Sequence, residues 1–209
     1  EFGNKAHSSY GGDPGPLHNT IAEPDRSVDN TTIWEPDFSR DYFLDLLFND
    51  APGAITMRNW YIEQSSGRYA VNGDVTDWVR VPYNTARYGN DACGSNVCAT
   101  VWYFVQDSVN AWYDKMRDDG MTKAEISAYL AQFDVWDRYD FNGNGNFDEP
   151  DGYIDHFQSV HAGEGNEAGG GAFGDDTIWS HRWYAFYNLI GSAGPAFNMA
   201  GGIQVGNTD

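Results

Sequence analysis

Twelve residues constrain this chain more than any others: Asp140-Phe141-Asn142-Gly143-Asn144-Gly145-Asn146-Phe147-Asp148-Glu149-Pro150-Asp151. They fit the pattern D-x-[DN]-x-[DN]-G-x5-acid, with Asp in place of the usual final Glu. A hard cation of calcium's size needs about six to eight oxygen ligands at roughly 2.3–2.6 Å, and alternate residues of a tightly wound loop can supply them. Asp140, Asn142 and Asn144 offer side-chain oxygens. Asn146 offers its backbone carbonyl, Asp148 a direct or water-bridged contact, and Asp151 the closing carboxylate. Gly145 falls where the turn demands positive φ, which glycine tolerates. The plainer alternative is an Asn/Gly-rich surface turn, since these residues favour turns without a ligand. A loop of this kind separates the elements on either side, so no single helix or strand runs through 140–151.

Periodicity places elements around the loop. Residues 1–36, with Gly11-Gly12-Asp13-Pro14-Gly15-Pro16, show little of it and are expected to form an extended arm ahead of a globular part at 37–209. Tyr42, Phe43, Leu46 and Leu47 recur at helical spacing behind Ser39, a suitable N-cap. A second short helix fits Met57 to Gln64. Arg68–Val71 and Val75–Val81 are β-rich and flank Asn72-Gly73, the strongest short signal for a hairpin. An apolar stripe through Val101, Phe104, Val105, Val109, Trp112, Tyr113 and Met116 predicts a long helix from about Val97 to Asp118, stopped by Gly120. Thr122 and Glu125 form a capping-box pattern that opens a further helix to about Phe133. Strands are expected at Tyr153–Val160 and Thr177–Trp183, with a glycine-rich loop at 163–174 between them. Helices and strands without regular alternation predict an α+β fold with a mixed sheet.

Charge and cysteines narrow the function classes. Thirty-one acidic against twelve basic residues give a net charge of −19. Such a field repels phosphate backbones and anionic lipids, so nucleic acid and membrane surfaces are poor partners. Cys93 and Cys98 are close enough in sequence to close a small disulfide loop if the backbone turns there. Zinc thiolates are the alternative, but no second cysteine pair exists. A disulfide implies an oxidising compartment. The histidines at 7, 18, 156, 161 and 181 include no H-E-x-x-H. Each of them reads more simply as a hydrogen-bonded structural residue than as a metal ligand. No Walker A loop and no G-x-S-x-G elbow occur.

A longer resemblance joins these features. Asp137-Arg-Tyr-Asp140, the loop itself, Glu149-Pro-Asp-Gly152-Tyr-Ile-Asp155-His156 and His161-Ala-Gly-Glu164-Gly resemble the immune inhibitor A family of secreted metallopeptidases. So do Glu167-Ala-Gly-Gly-Gly171, Gly174-Asp-Asp-Thr-Ile-Trp-Ser-His-Arg-Trp183, Met57–Gly67 and Arg68–Gly73. The resemblance implies a zincin-like catalytic domain, a pro-segment removed on maturation (with Glu1 a mature start), structural calcium and extracellular endoproteolysis, associated with virulence or nutrient scavenging. It also implies that the H-E-x-x-H helix lies beyond Asp209, so no zinc ligand or catalytic residue is carried onto this chain. The expected protein is therefore the calcium-binding N-terminal portion of a secreted zinc endopeptidase, inactive alone. Its expected partners are protein or peptide substrates and the C-terminal fragment of the same enzyme, with the 153–160 or 177–183 strand forming a cleft wall. A calcium-dependent extracellular adhesion module without catalysis is the alternative.

Overall fold

In the computed structural model the described residues are 1–6, 14–89, 100–137, 140, 142–180, 182 and 203–205. They divide into two compact units, Leu17–Trp78 and a larger one made of Glu1–Pro16 with Val79–Asp209. The regular elements are α1 (Arg40–Phe48), α2 (Met57–Gln64), α3 (Ala86–Gly89), α4 (Thr100–Asp118) and α5 (Lys123–Leu130), with 3-10 turns at Ala131–Phe133, Asn166–Ala168 and Gly171–Asp176. None of these helices is long and apolar enough to cross a membrane.

The helices begin where local chemistry says they should. Ser39 Oγ accepts the Tyr42 N–H at the start of α1, and Thr56 Oγ1 accepts the Asn59 N–H at the start of α2. At α5 the capping box closes both ways. Thr122 Oγ1 accepts the Glu125 N–H, and the Glu125 carboxylate accepts the Thr122 N–H at 2.8 Å. Each cap satisfies a donor that the helix itself leaves open. Helix α4 ends at Asp118, and Gly120 follows with φ 96°.

The predicted sheet is absent from the described residues, which corrects the α+β expectation. Only two isolated bridges occur there, Lys5 with Tyr83 (parallel) and Tyr153 with Gln204 (antiparallel). The Asn72-Gly73 hairpin does not form, because helix side chains take the hydrogen bonds a ladder would use. Arg58 donates to the Val71 carbonyl at 2.8 Å and to the Asn72 side chain. Arg40 donates to the Val75 carbonyl and to Asp74, and the Trp78 indole N–H donates to the Phe38 carbonyl at 2.7 Å. Residues 153–160 form no strand beyond the bridge at Tyr153. Asp155 N–H instead donates to the Phe133 carbonyl at 2.8 Å. The described part of 177–183 is likewise irregular, with Thr177 N–H bonded to Gly174 and Ser180 N–H bonded to the Glu167 carboxylate. Gly170, at φ 70°, permits that arrangement, since a Cβ there would lie 2.2 Å from the Gly174 oxygen.

The core of the larger unit gathers on α4. Val101 and Phe104 near its start pack with Phe2, Val81, Tyr88 and Ile178. Trp112 in its second half packs with Ile126, Leu130 and Val205. Phe2 is 1% exposed, and its segment is clipped to the chain at 81–84. Gly3 N–H donates to Tyr83 at 2.8 Å, and Val81 N–H donates to Glu1 at 2.9 Å. The Phe2 ring lies 5.7 Å from that of Phe104 and 6.0 Å from that of Tyr88. Phe2→Ala therefore removes the aromatic centre of this cluster and should cost about 3–5 kcal/mol of stability. Thr122→Ala, which loses only a cap, should cost about 1 kcal/mol. Urea unfolding of the two variants checks both the magnitudes and their order.

Candidate metal-binding loop

Asp140, Asn142, Asn144, Asn146, Asp148 and Asp151, the six sequence-predicted site residues, are all described and lie outside any helix or strand. Asp140 has φ 51°, a left-handed conformation that aspartate adopts more readily than most residues. Its carboxylate reaches across the turn and accepts the Gly145 N–H at 3.1 and 3.2 Å. Gly145 has φ 78°, as the turn requires.

From there the side-chain oxygens follow a regular order. Asn142 Oδ1 accepts the Asn144 N–H at 2.9 Å, Asn144 Oδ1 accepts the Asn146 N–H at 2.6 Å, and Asn146 Oδ1 accepts the Asp148 N–H at 3.2 Å. Each oxygen thus binds the backbone two residues on, which holds the loop wound and fixes the side chain to it. A carboxamide oxygen has two lone pairs, so one remains for another partner.

Asp151 sits apart from that row. Its carboxylate accepts the Tyr153 N–H at 3.0 Å, while its own N–H donates to Asp134 at 2.9 Å. Asp134 also accepts the Gly152 N–H at 3.0 Å, and Asp155 accepts the Val135 and Trp136 N–H groups at 2.9 and 3.3 Å. Asp134 and Asp137 are 5% and 2% exposed. Burial pushes the Asp151 carboxyl above the ordinary carboxylate range, and the negative charges of Asp134, Asp137 and Asp155 push it further the same way.

Glu149, which the spacing rule leaves out, occupies the middle of the loop's hydrogen bonding. Its carboxylate accepts Nδ2–H bonds from Asn142 at 2.6 Å, Asn144 at 2.7 Å and Asn146 at 2.9 Å. These bonds, Asn142 and Asn144 foremost, hold its carboxyl below the usual range. No pattern in the sequence marks this role beyond an acid between Asp148 and Pro150.

The donor set suits a hard cation: carboxylate and carboxamide oxygens on a loop already turned by hydrogen bonds. Among the described residues, however, no three His, Cys, Asp or Glu side chains converge as a metal cluster. The loop's donors are chiefly amides. The described histidines, His18, His156 and His161, lie outside the loop. His161 is held by its neighbours, its Nδ1 3.1 Å from the Ala162 carbonyl and its ring 5.9 Å from that of Phe2. Burial lowers its pKa below the usual histidine value. His18 stacks on Trp78 with centroids 4.8 Å apart, and His156 is exposed. His7, His181, Cys93 and Cys98 lie outside the described residues.

The charge layout makes a testable statement about Asp151. A carboxyl whose folded pKa is raised binds more protons when folded than when unfolded. Its contribution to stability is greatest below the unfolded pKa and declines as pH rises through the raised value. In metal-free buffer at pH 7, Asp151→Asn should therefore melt at a higher temperature than the unaltered chain. The difference should close on acidification to about pH 4, where an ordinary aspartate protonates. Melting curves across that range check the sign.

Comparison with known proteins places the whole sequence. The family model described as Immune inhibitor A peptidase M6, catalytic domain, matches residues 1–209. The chain is 39% identical over 158 residues to Immune inhibitor A of Bacillus thuringiensis subsp. alesti, covering 72% of this chain and 22% of that protein. It is 39% identical over 153 residues to Pre-pro-metalloprotease PrtV of Vibrio cholerae serotype O1, covering 70% of this chain and 16% of that protein. It thus spans less than a quarter of the length of these relatives.

Proposed function

The chain belongs to the immune inhibitor A family of M6 peptidases, and from that membership we propose that it is the calcium-binding N-terminal part of a secreted zinc endopeptidase. The family match along residues 1–209 supports the peptidase part of this reading. A zinc ion in such an enzyme polarises a water and a peptide carbonyl. The H-E-x-x-H helix that the resemblance implies is not among the 209 residues, and this reading assigns the zinc ligands and the catalytic base to that helix. This part supplies scaffold to the catalytic domain and does not hydrolyse peptides alone. Its substrates are extracellular proteins, and its closest functional partner is the remainder of the same enzyme.

Calcium is the cation assigned to the loop. Asp140 and the oxygens of Asn142, Asn144 and Asn146 are already seated on successive backbone N–H groups, so little side-chain freedom is left to lose on binding. Asp151 and Asp148 add negative charge. In this reading calcium also offsets the negative charges of Asp134, Asp137 and Asp155, which add to burial in raising the Asp151 carboxyl.

Two experiments test these assignments. A chain extended through the H-E-x-x-H segment should cleave a casein or fluorogenic peptide substrate and stop when zinc is chelated. The 209-residue chain should not cleave it, and zinc-dependent cleavage by that chain alone would refute the assignment. Separately, calcium at a hundred times its dissociation constant should stabilise the chain by about 2.7 kcal/mol relative to EDTA. For a chain of this size that corresponds to a rise in melting temperature of roughly 5–11 °C. Asp140→Ala should abolish the rise, whereas a midpoint indifferent to both calcium and EDTA in the unaltered chain rules calcium out.

A further inference from the structure

We propose that Val135, Trp136, Phe147 and Phe157 form a docking face for the remainder of the same polypeptide, through a segment that carries apolar and basic side chains. The proposal rests on the reading of this chain as one part of a larger peptidase, and it names the surface through which the parts join.

The segment at 134–137 is folded with its polarity reversed. Asp134 and Asp137 are buried, while Val135 and Trp136 between them are 52% and 44% exposed. Hydrogen bonds fix the reversal. Asp134 accepts the N–H groups of Asp151 and Gly152 at 2.9 and 3.0 Å. The Asp155 carboxylate accepts the N–H groups of Val135 and Trp136 at 2.9 and 3.3 Å. Two further bonds bring the phenylalanines alongside. Asp137 N–H donates to the Phe147 carbonyl at 3.1 Å, and Asp155, two residues ahead of Phe157, donates its N–H to the Phe133 carbonyl at 2.8 Å. Phe147 is 54% exposed and Phe157 40%. All four apolar residues thus stand at the surface on one hydrogen-bonded stretch of the larger unit. A lone exposed apolar residue needs no explanation, whereas a gathered group with a tryptophan in it marks an interaction surface.

Charge and chain length select the occupant. Residues 134–155 contain seven Asp and Glu against one Arg, and the whole chain carries −19. A second copy would set this field against itself, and anionic lipid or nucleic acid is repelled in the same way. The chain spans less than a quarter of the length of its relatives, so most of an enzyme of this kind lies outside these residues and is tethered to them. A tethered partner meets the face at high effective concentration, which favours it over a free one. Apolar side chains at its centre would cover Trp136 and the phenylalanines, with Lys or Arg at the rim against the surrounding carboxylates.

The test uses the complete enzyme. Hydroxyl-radical footprinting with mass spectrometry compares oxidation of Trp136, Phe147 and Phe157 in the native and the urea-unfolded enzyme. The expected result is protection of more than about tenfold at all three, because the centre of a packed interface excludes water. Rates that fall only to about half of the unfolded values, as the exposures seen here imply, overturn the proposal. Trp136→benzoylphenylalanine then identifies the occupant. On irradiation it should cross-link within its own chain to a peptide outside the 209 residues that carries Lys or Arg beside apolar residues. A cross-link to a second copy or to added casein, or none outside the 209 residues, overturns the proposal. Zinc-dependent cleavage of casein is assayed on the same preparations. An active enzyme whose three side chains stay exposed sinks this inference alone, whereas a complete enzyme without zinc-dependent cleavage sinks the parent reading and this one with it.

Discussion

Every backbone N–H and C=O removed from water needs a partner, and where the described residues form so little sheet that partner is often a side chain. The requirement shapes the described structure more than any single packing contact. Asp134 collects two N–H groups at the turn into 151–152, and Asp155 collects two more at 135–136. In the smaller unit, Arg40, Arg58 and the Trp78 indole do the converse and cap carbonyls at Val75, Val71 and Phe38. These polar links fix the irregular segments between the helices.

The same solution carries a cost that bears on function. Asp134, Asp151 and Asp155 serve as acceptors, but burial, and after it the charges of Asp134, Asp137 and Asp155, raise the Asp151 carboxyl. The row of oxygens from Asp140 to Asn146 continues the negative character along the loop. On the proposed reading, the chain folds outside the cell and uses calcium as the missing counter-charge. On this account the loop is both a structural joint and a condition on folding, coupling the scaffold of a peptidase to the medium in which it works.

The sequence revealed what short-range chemistry decides. Ser39, Thr56 and Thr122 mark helix starts because a cap needs only its own next three residues. The stripe on Thr100–Asp118 shows because burial on one helix face repeats every turn. Gly145 is legible because positive φ has few other occupants. The hairpin at Asn72-Gly73 misled for the opposite reason: its alternative partners, Arg40 and Arg58, lie tens of residues away or on another element. The same holds at the loop. Positions 140 to 148 follow a spacing rule, but the gathering of three amides by Glu149 and the acceptor role of Asp134 depend on how the chain doubles back. Family resemblance reached further than periodicity, since it draws on the order of whole motifs rather than on their local form.

The central claim is that this chain is a calcium-held, zinc-free portion of an M6 peptidase, and its metal content tests that most directly. The purified 209-residue chain, dialysed against buffer containing micromolar calcium and zinc and then against metal-free buffer, is analysed by elemental mass spectrometry. The account predicts calcium at or above one per chain, with no stoichiometric zinc. Zinc near one per chain without calcium would contradict it, placing the catalytic metal in residues assigned here to the scaffold.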